Sequence, residues 1–255
     1  MSARRSIARC LRAAACAAAA CAIGACAATD AGAGAATDDP SFTVLHSGSA
    51  PADAELRGTD MEPLSAGTVR WAILPERAGA RPTMHVERTA RTADGRWTRS
   101  AEDGVRTLAQ DADGTVRLLR QADAKDGSAT DFRPPLAIAP PTLGAAADYA
   151  SDAAVDVKRG TIAEPNAGKA QRTMRIAGLD RVRTPLGETD ALRIETTFAM
   201  KVPFASLRRD TTTWVVRGTG PVAARIDERV LVMGVVPRDR HETRVRMPAG
   251  AGDTP

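Results

Sequence analysis

The sequence predicts an all-β fold, an antiparallel meander curved into a sheet or half-barrel, with at most one or two short helices. Three observations predict it. From Ser41 onward, apolar and polar residues alternate in short runs, which is the period of a half-buried strand. Asp94-Gly95, Asp103-Gly104 and Asp113-Gly114 recur about every ten residues, and Asp-Gly suits a tight hairpin turn whose central residues need positive φ. No long stretch carries the 3.6-residue period of an amphipathic helix.

Taken in order, residues 68–74 place Val69, Trp71 and Ile73 on one face, and residues 83–88 place Met84, Val86 and Arg88 together. Arg96-Trp97-Thr98 follows the first Asp-Gly turn, and the runs 105–108 and 115–119 flank the next two. Residues 99–108 have an ambiguous period, and a short helix is expected there or within 145–154. Residues 132–149 contain Pro134, Pro135, Pro140 and Pro141, which cannot donate to a central ladder, so a crossover or an edge segment is expected. Residues 152–157 resume a strand through Val155 and Val157, and residues 162–169, with Pro165, Asn166 and Gly168, read as a loop.

The C-terminal third alternates most cleanly. After a strand at 172–176 and a turn at Leu186-Gly187, residues Leu192, Ile194, Thr196, Phe198, Met200 and Val202 fall on one face and Arg193, Glu195, Thr197 and Lys201 on the other. That is a long strand with one wet face. Thr212, Trp214 and Val216 share a face of the next strand, and Gly218-Thr219-Gly220-Pro221 turns it around. Val222, Ala224, Ile226, Val230 and Val232 line the return, and residues 241–247 form a last strand with Val245 and Met247.

The N-terminus carries a different signal. Arg4, Arg5, Arg9 and Arg12 precede an uncharged run at 13–23, too short to span a bilayer as a helix. A charged leader, a short apolar stretch and small residues at a cut site describe a secretory signal. Ile23-Gly24-Ala25-Cys26 resembles the bacterial lipobox, whose cysteine takes a lipid through its sulfur and becomes the mature N-terminus. The same residues also accommodate ordinary cleavage after an Ala-x-Ala-type site. The domain organisation expected is a lipoprotein signal peptide at 1–25, a flexible Gly/Ala-rich tether at 26–40, a single β domain at 41–248 and a disordered tail at 249–255.

Cysteine and charge both change when the signal is removed. All four cysteines, Cys10, Cys16, Cys21 and Cys26, lie in the first 26 residues. The mature chain then has no disulfide framework and no thiol beyond Cys26, and lipidation (palmitate and its like) is the cysteine chemistry that remains. The chain has 35 basic and 31 acidic residues, and loss of the four leader arginines leaves 31 against 31. That balance, with aromatics at 3%, argues against a nucleic-acid surface.

The phrases Val182-Arg183-Thr184-Pro185-Leu186-Gly187 and Asp190-Ala191-Leu192-Arg193-Ile194-Glu195 resemble a recurring hairpin of uncharacterised Gram-negative periplasmic proteins. Thr213-Trp214-Val215-Val216-Arg217-Gly218-Thr219-Gly220-Pro221-Val222 resembles their next element, and the Pro134–Gly144 segment with Tyr149 their Pro-rich approach to it. The group is similar in outline to periplasmic half-barrels, including the lipoprotein-localisation carriers. The resemblance spans residues 132–247, and its motifs are turn and strand signatures, so it implies a fold and no catalytic residue.

No catalytic set emerges. His46, His85 and His241 lack metal-ligand spacing, so no metal or cofactor is expected. There is no Gly-x-Ser-x-Gly elbow, and Gly218-x-Gly220 precedes a proline and no helix pattern. The expectation is a non-enzymatic, lipid-anchored envelope protein, in the outer membrane and facing the periplasm. It would hold a hydrophobic ligand or a protein partner on an apolar concave face lined by Trp71, Trp97, Leu192, Ile194, Phe198, Met200, Trp214 and Ile226. The alternative is a structural or interaction module without ligand, and a periplasmic hydrolase comes third.

Overall fold

The computed structural model describes residues 39–249 except 78, 126, 161, 204 and 233–235. The signal segment, Cys26 and almost all of the tether and tail therefore lie outside the described residues.

In chain order the strands are β1 (Thr43–Gly48), β2 (Glu55–Arg57), β3 (Gly67–Leu74), β4 (Thr83–Arg91), β5 (Trp97–Ala101), β6 (Gly104–Gln110), β7 (Val116–Asp123), β8 (Ser128–Ala139), β9 (Thr142–Gly144), β10 (Tyr149–Arg159), β11 (Ile162–Thr184), β12 (Gly187–Val202), β13 (Ala205–Val216), β14 (Gly220–Val232) and β15 (Val236–Arg246). One four-residue helix, α1 (Gly58–Met61), follows β2. The fold is all-β and antiparallel, as the alternation predicts.

The sheet is not a half-barrel. β3 to β8 and β10 to β15 each pair with the next in sequence, β8 pairs with β10, and β15 returns to pair with β3, so twelve strands close a barrel. Closure pairs the two edges that an open sheet would leave bare. Alternation within a strand reports which face is buried and says nothing about which edges meet, so this step lies beyond the sequence pattern. The seam is short, running only from Trp71↔Arg246 to Leu74↔Thr243. β1 adds outside the ring, beside residues 179–183 of β11.

Three local expectations are corrected. Residues 132–139 belong to β8, inside the sheet between β7 and β10. Pro134 and Pro135 fit there because pairing to β10 ends at Arg133 and pairing to β7 skips from Leu136 to Asp131, so neither ladder asks them for a donor. Residues 162–169 are the first part of β11, with a bulge opposite Val155 and Val157 that takes up the chain around Pro165. The two places reserved for a helix are β5–β6 and the start of β10. Arg99 and Arg106 point into the barrel, and those inward charges are what blurred the period.

One end of the barrel is stoppered. Residues 49–66, with β2 paired to β9, fold across it, and Ala54, Leu56, Met61 and Leu143 join the main core. Gly58 approaches the wall so closely that a Cβ would meet the Pro140 carbonyl at 2.5 Å and the Gly114 carbonyl at 2.8 Å. Asp60 accepts hydrogen bonds from the Arg57 amide at 3.1 Å and from the Gly218 amide at 3.0 Å, pinning α1 to the β13–β14 turn.

The outer wall is charged. Arg175 pairs with Glu195 at 2.6 Å, Lys158 with Asp131 at 2.8 Å, Arg208 with Asp210 at 2.9 Å and Arg229 with Asp239 at 3.8 Å. Each exposed pair contributes little stability. Together they make this wall unlike the apolar band of a lipid-spanning barrel.

Candidate functional site

The interior has two sectors. From β3 to β6 and β13 to β15 the inward positions are largely polar. Buried Glu62, Glu87, Glu228 and Glu242 face buried Arg99, Arg106, Arg209 and Arg244. Arg99 bonds to Glu62 and donates to the Pro63 carbonyl at 3.0 Å; Arg209 pairs with Glu228, and Arg244 and Arg240 with Glu242. Neither oxygen of Glu87 has a hydrogen-bond partner among the described residues. Instead His85 Nε2 stands 3.6 Å away, Arg106 3.8 Å and Arg244 3.9 Å. Burial pushes the Glu87 carboxyl up, but the approach of His85 and the fields of Arg106, Arg99 and Arg244 overcome it and hold the group below its ordinary value. Glu242 is also held down, its burial outweighed by Arg244 and Arg240.

The other sector is apolar. On β12 Leu192, Ile194, Phe198 and Met200 are all buried, with Thr196 among them, as the alternation predicts. Across from them on β11 lie Leu179, Ile176, Met174 and Arg172, in register with Leu192, Ile194, Thr196 and Phe198. The stripe from Leu192 to Phe198 spans six residue steps, or about 20 Å.

At the stoppered end this stripe meets a cleft of about 320 Å³ between the plug and β11–β13. Ala54, Leu179, Leu192 and Val215 form its apolar floor, and Asp53, Asp190 and Arg217 stand around it. Arg217 is held by a 3.0 Å bond from its Nε to the Glu55 carbonyl. The volume falls at the small end of the range for ligand pockets, and an apolar floor with a few polar groups is their usual composition.

The structure brings four of the eight expected apolar residues together: Leu192, Ile194, Phe198 and Met200. Trp97 is half-buried and packs on the same cluster from β5, with Arg91 over its ring at 5.9 Å. Trp71 is fully buried in the polar sector, beside Val69 and Ala224. Ile226 is half-buried there, opposite Thr211 and Glu242. Trp214 lies on the outside of the barrel. Its indole Nε1 donates to Asp180 at 2.8 Å, and Phe42 covers it with ring centroids 4.6 Å apart. β13 alternates regularly, with Thr211, Thr213 and Val215 inward opposite Thr196, Ile194 and Leu192, so Trp214 falls on the outer face with Thr212 and Val216. Alternation groups those last three residues correctly but does not say which face is inside.

Sequence reasoning missed the charged lattice, the plug and Arg172. Inward arginines read as wet-face residues, and residues 49–66 carry no strand period. A signal did exist in β4, where His85, Glu87 and Thr89 alternate with Met84 and Val86. The latter pair is the exposed one, at 40% and 41%.

No known protein family, curated protein or solved structure matches this chain.

Proposed function

We propose that this chain is an exported, lipid-anchored cell-envelope protein that binds a hydrophobic ligand in its barrel. It is tethered through lipid on Cys26 and set at the outer membrane facing the periplasm, and its work is binding rather than catalysis. The observation that carries the proposal is the 320 Å³ apolar cleft at the plugged end, whose floor includes Leu192, the first residue of the apolar stripe on β12. Support for the anchor comes from Ile23-Gly24-Ala25-Cys26, and the charged wall suits a domain held in water beside a membrane.

Native mass spectrometry of the protein purified from its own envelope tests this. A co-purifying lipid is expected, and Leu192→Trp, which fills the cleft, should release it. A bare protein, with wild type and variant each at the mass of its own acylated polypeptide, would count against ligand binding.

A second reading is favoured by how completely the stripe is covered. Ile194, Phe198 and Met200 are only 3–4% exposed. In that reading the rim of the cleft docks another envelope protein and the interior serves as scaffold. Cross-linking from Asp53 or Asp190 to a protein, with no lipid in the native spectrum, would select it.

A further inference from the structure

Among the described residues five arginines are buried: Arg99, Arg106, Arg172, Arg209 and Arg244. Four of them face a glutamate. Arg99 has Glu62, Arg209 has Glu228, Arg244 has Glu242, and Arg106 lies 3.8 Å from Glu87. Arg172 is 5% exposed, and no carboxylate pairs with it among the described residues. Its Nε reaches only the thioether sulfur of Met174, at 3.3 Å.

A guanidinium stays charged in any protein environment, and a thioether is a weak acceptor. A buried cation with no anion beside it is costly. Every other buried arginine here is provided with its counter-charge by the chain itself. Arg172 alone sits in the apolar sector, opposite Phe198 on β12 and opposite Ser151 on β10. Ser151 is committed through its hydroxyl to the Ala137 carbonyl at 2.8 Å. Tyr149, next inward on β10 and opposite Met174, lies within the field of Arg172 and has a hydroxyl to donate.

Resting on the reading of the cleft as a ligand entrance, we infer that Arg172 receives the acid group of that ligand, an amphiphile with one apolar chain and an anionic head. Carboxylate and phosphate heads share the required chemistry, since both take a forked pair of hydrogen bonds from a guanidinium. The chain would lie along Met174, Ile176 and Ile194 toward Leu192. The stripe spans about 20 Å, enough for a long acyl chain. Entry displaces flexible side chains, Met174 first, and Met174 is also the group now standing on the guanidinium.

The test measures binding of decanoate, decyl phosphate and 1-decanol to the full mature chain, in wild type, Arg172→Met and Arg172→Lys. Wild type should bind at least one of the two anions ten-fold or more tighter than 1-decanol. Arg172→Met should lose that preference while keeping its affinity for 1-decanol, and Arg172→Lys should keep part of it. Preference for decanoate alone or decyl phosphate alone identifies the head, and either supports the inference. If Arg172→Met binds the anions as wild type does, or wild type binds 1-decanol equally well, the role of Arg172 is overturned and ligand binding stands. If none of the three probes binds wild type, ligand binding and the inference fall together. Thermal melting without ligand separates a strut from a receptor. Arg172→Met should melt no lower than wild type, and a clear fall would make Arg172 structural and overturn the assignment.

Discussion

Arg99 and Glu62 pair inside the barrel, and through that pair the wall holds the plug. Both side chains are almost fully buried, and the second guanidinium nitrogen of Arg99 is fixed on the Pro63 carbonyl of the same segment. Removing one partner strands the other charge. Glu62→Gln should cost about 3 kcal/mol in urea unfolding and raise amide exchange across residues 49–66. A joint Glu62→Met and Arg99→Met replacement should recover much of the loss. Unchanged exchange in the single variant would mean that the plug is held by its apolar contacts alone.

Asp180 is the hub of the outer patch. It accepts from Trp214 Nε1 at 2.8 Å and from Arg193 at 2.9 Å, and it is 1% exposed. Asp180→Ala strands two donors and should cost about 3 kcal/mol, whereas Trp214→Phe loses one neutral donor and should cost about 1 kcal/mol. Equal losses in chemical denaturation would contradict this ordering.

His241 and Asp227 are exposed and meet at 2.6 Å on the outer wall. The Asp227 hydrogen bond holds the imidazole above its ordinary value of 6.5. A raised folded value means that the pair stabilises fully below about 6.5 and loses that contribution as the pH rises through the folded value. NMR titration of His241 should show the elevation, and Asp227→Asn should abolish it.

The acid limb runs the other way. Glu87 is held below its ordinary 4.5 by His85 and then by Arg106, Arg99 and Arg244, and Glu242 by Arg244 and Arg240. Their contribution is present above 4.5 and is lost as the pH falls through the depressed folded values. Glu242→Gln should therefore be less stable than wild type at neutral pH, with the gap narrowing below pH 4.5. A gap independent of pH in acid titrations of stability would remove the carboxylate from this role.

At the other end of the chain, Cys26→Ala should abolish metabolic palmitate labelling and leave uncleaved precursor or a soluble periplasmic form. Retained label in that variant would refute the lipid anchor.

The sequence made the strands legible where burial follows a simple alternation, and β12 is the best case. Leu192, Ile194, Phe198 and Met200 read as one buried face and are one. It misled where the interior is charged. Arg99 and Arg106 occupy inward positions normally held by leucine or valine, so β5 and β6 lost their strand pattern. Arg172 was invisible for the same reason, since an arginine on a half-buried strand reads as solvent-facing until the barrel is closed around it. Trp214 shows a second limit. Alternation separates the two faces of β13 without saying which one is inside, and an outer face can be dry when something covers it, here Phe42 from before β1. Half of the expected apolar site survived because those residues share one unbulged stretch of one strand.

The four-residue seam between β3 and β15 sets the order of assembly. Every other junction of the ring joins strands that follow one another in the chain, with only the short β9 intervening between β8 and β10, and can zip as the chain appears. The seam alone waits for Thr243 to Arg246, which follow every other strand of the ring in the chain, and until they arrive β3 presents an unguarded edge to any other nascent copy. A truncation before β15 would keep nearly all of the hairpins and still leave a permanently sticky protein.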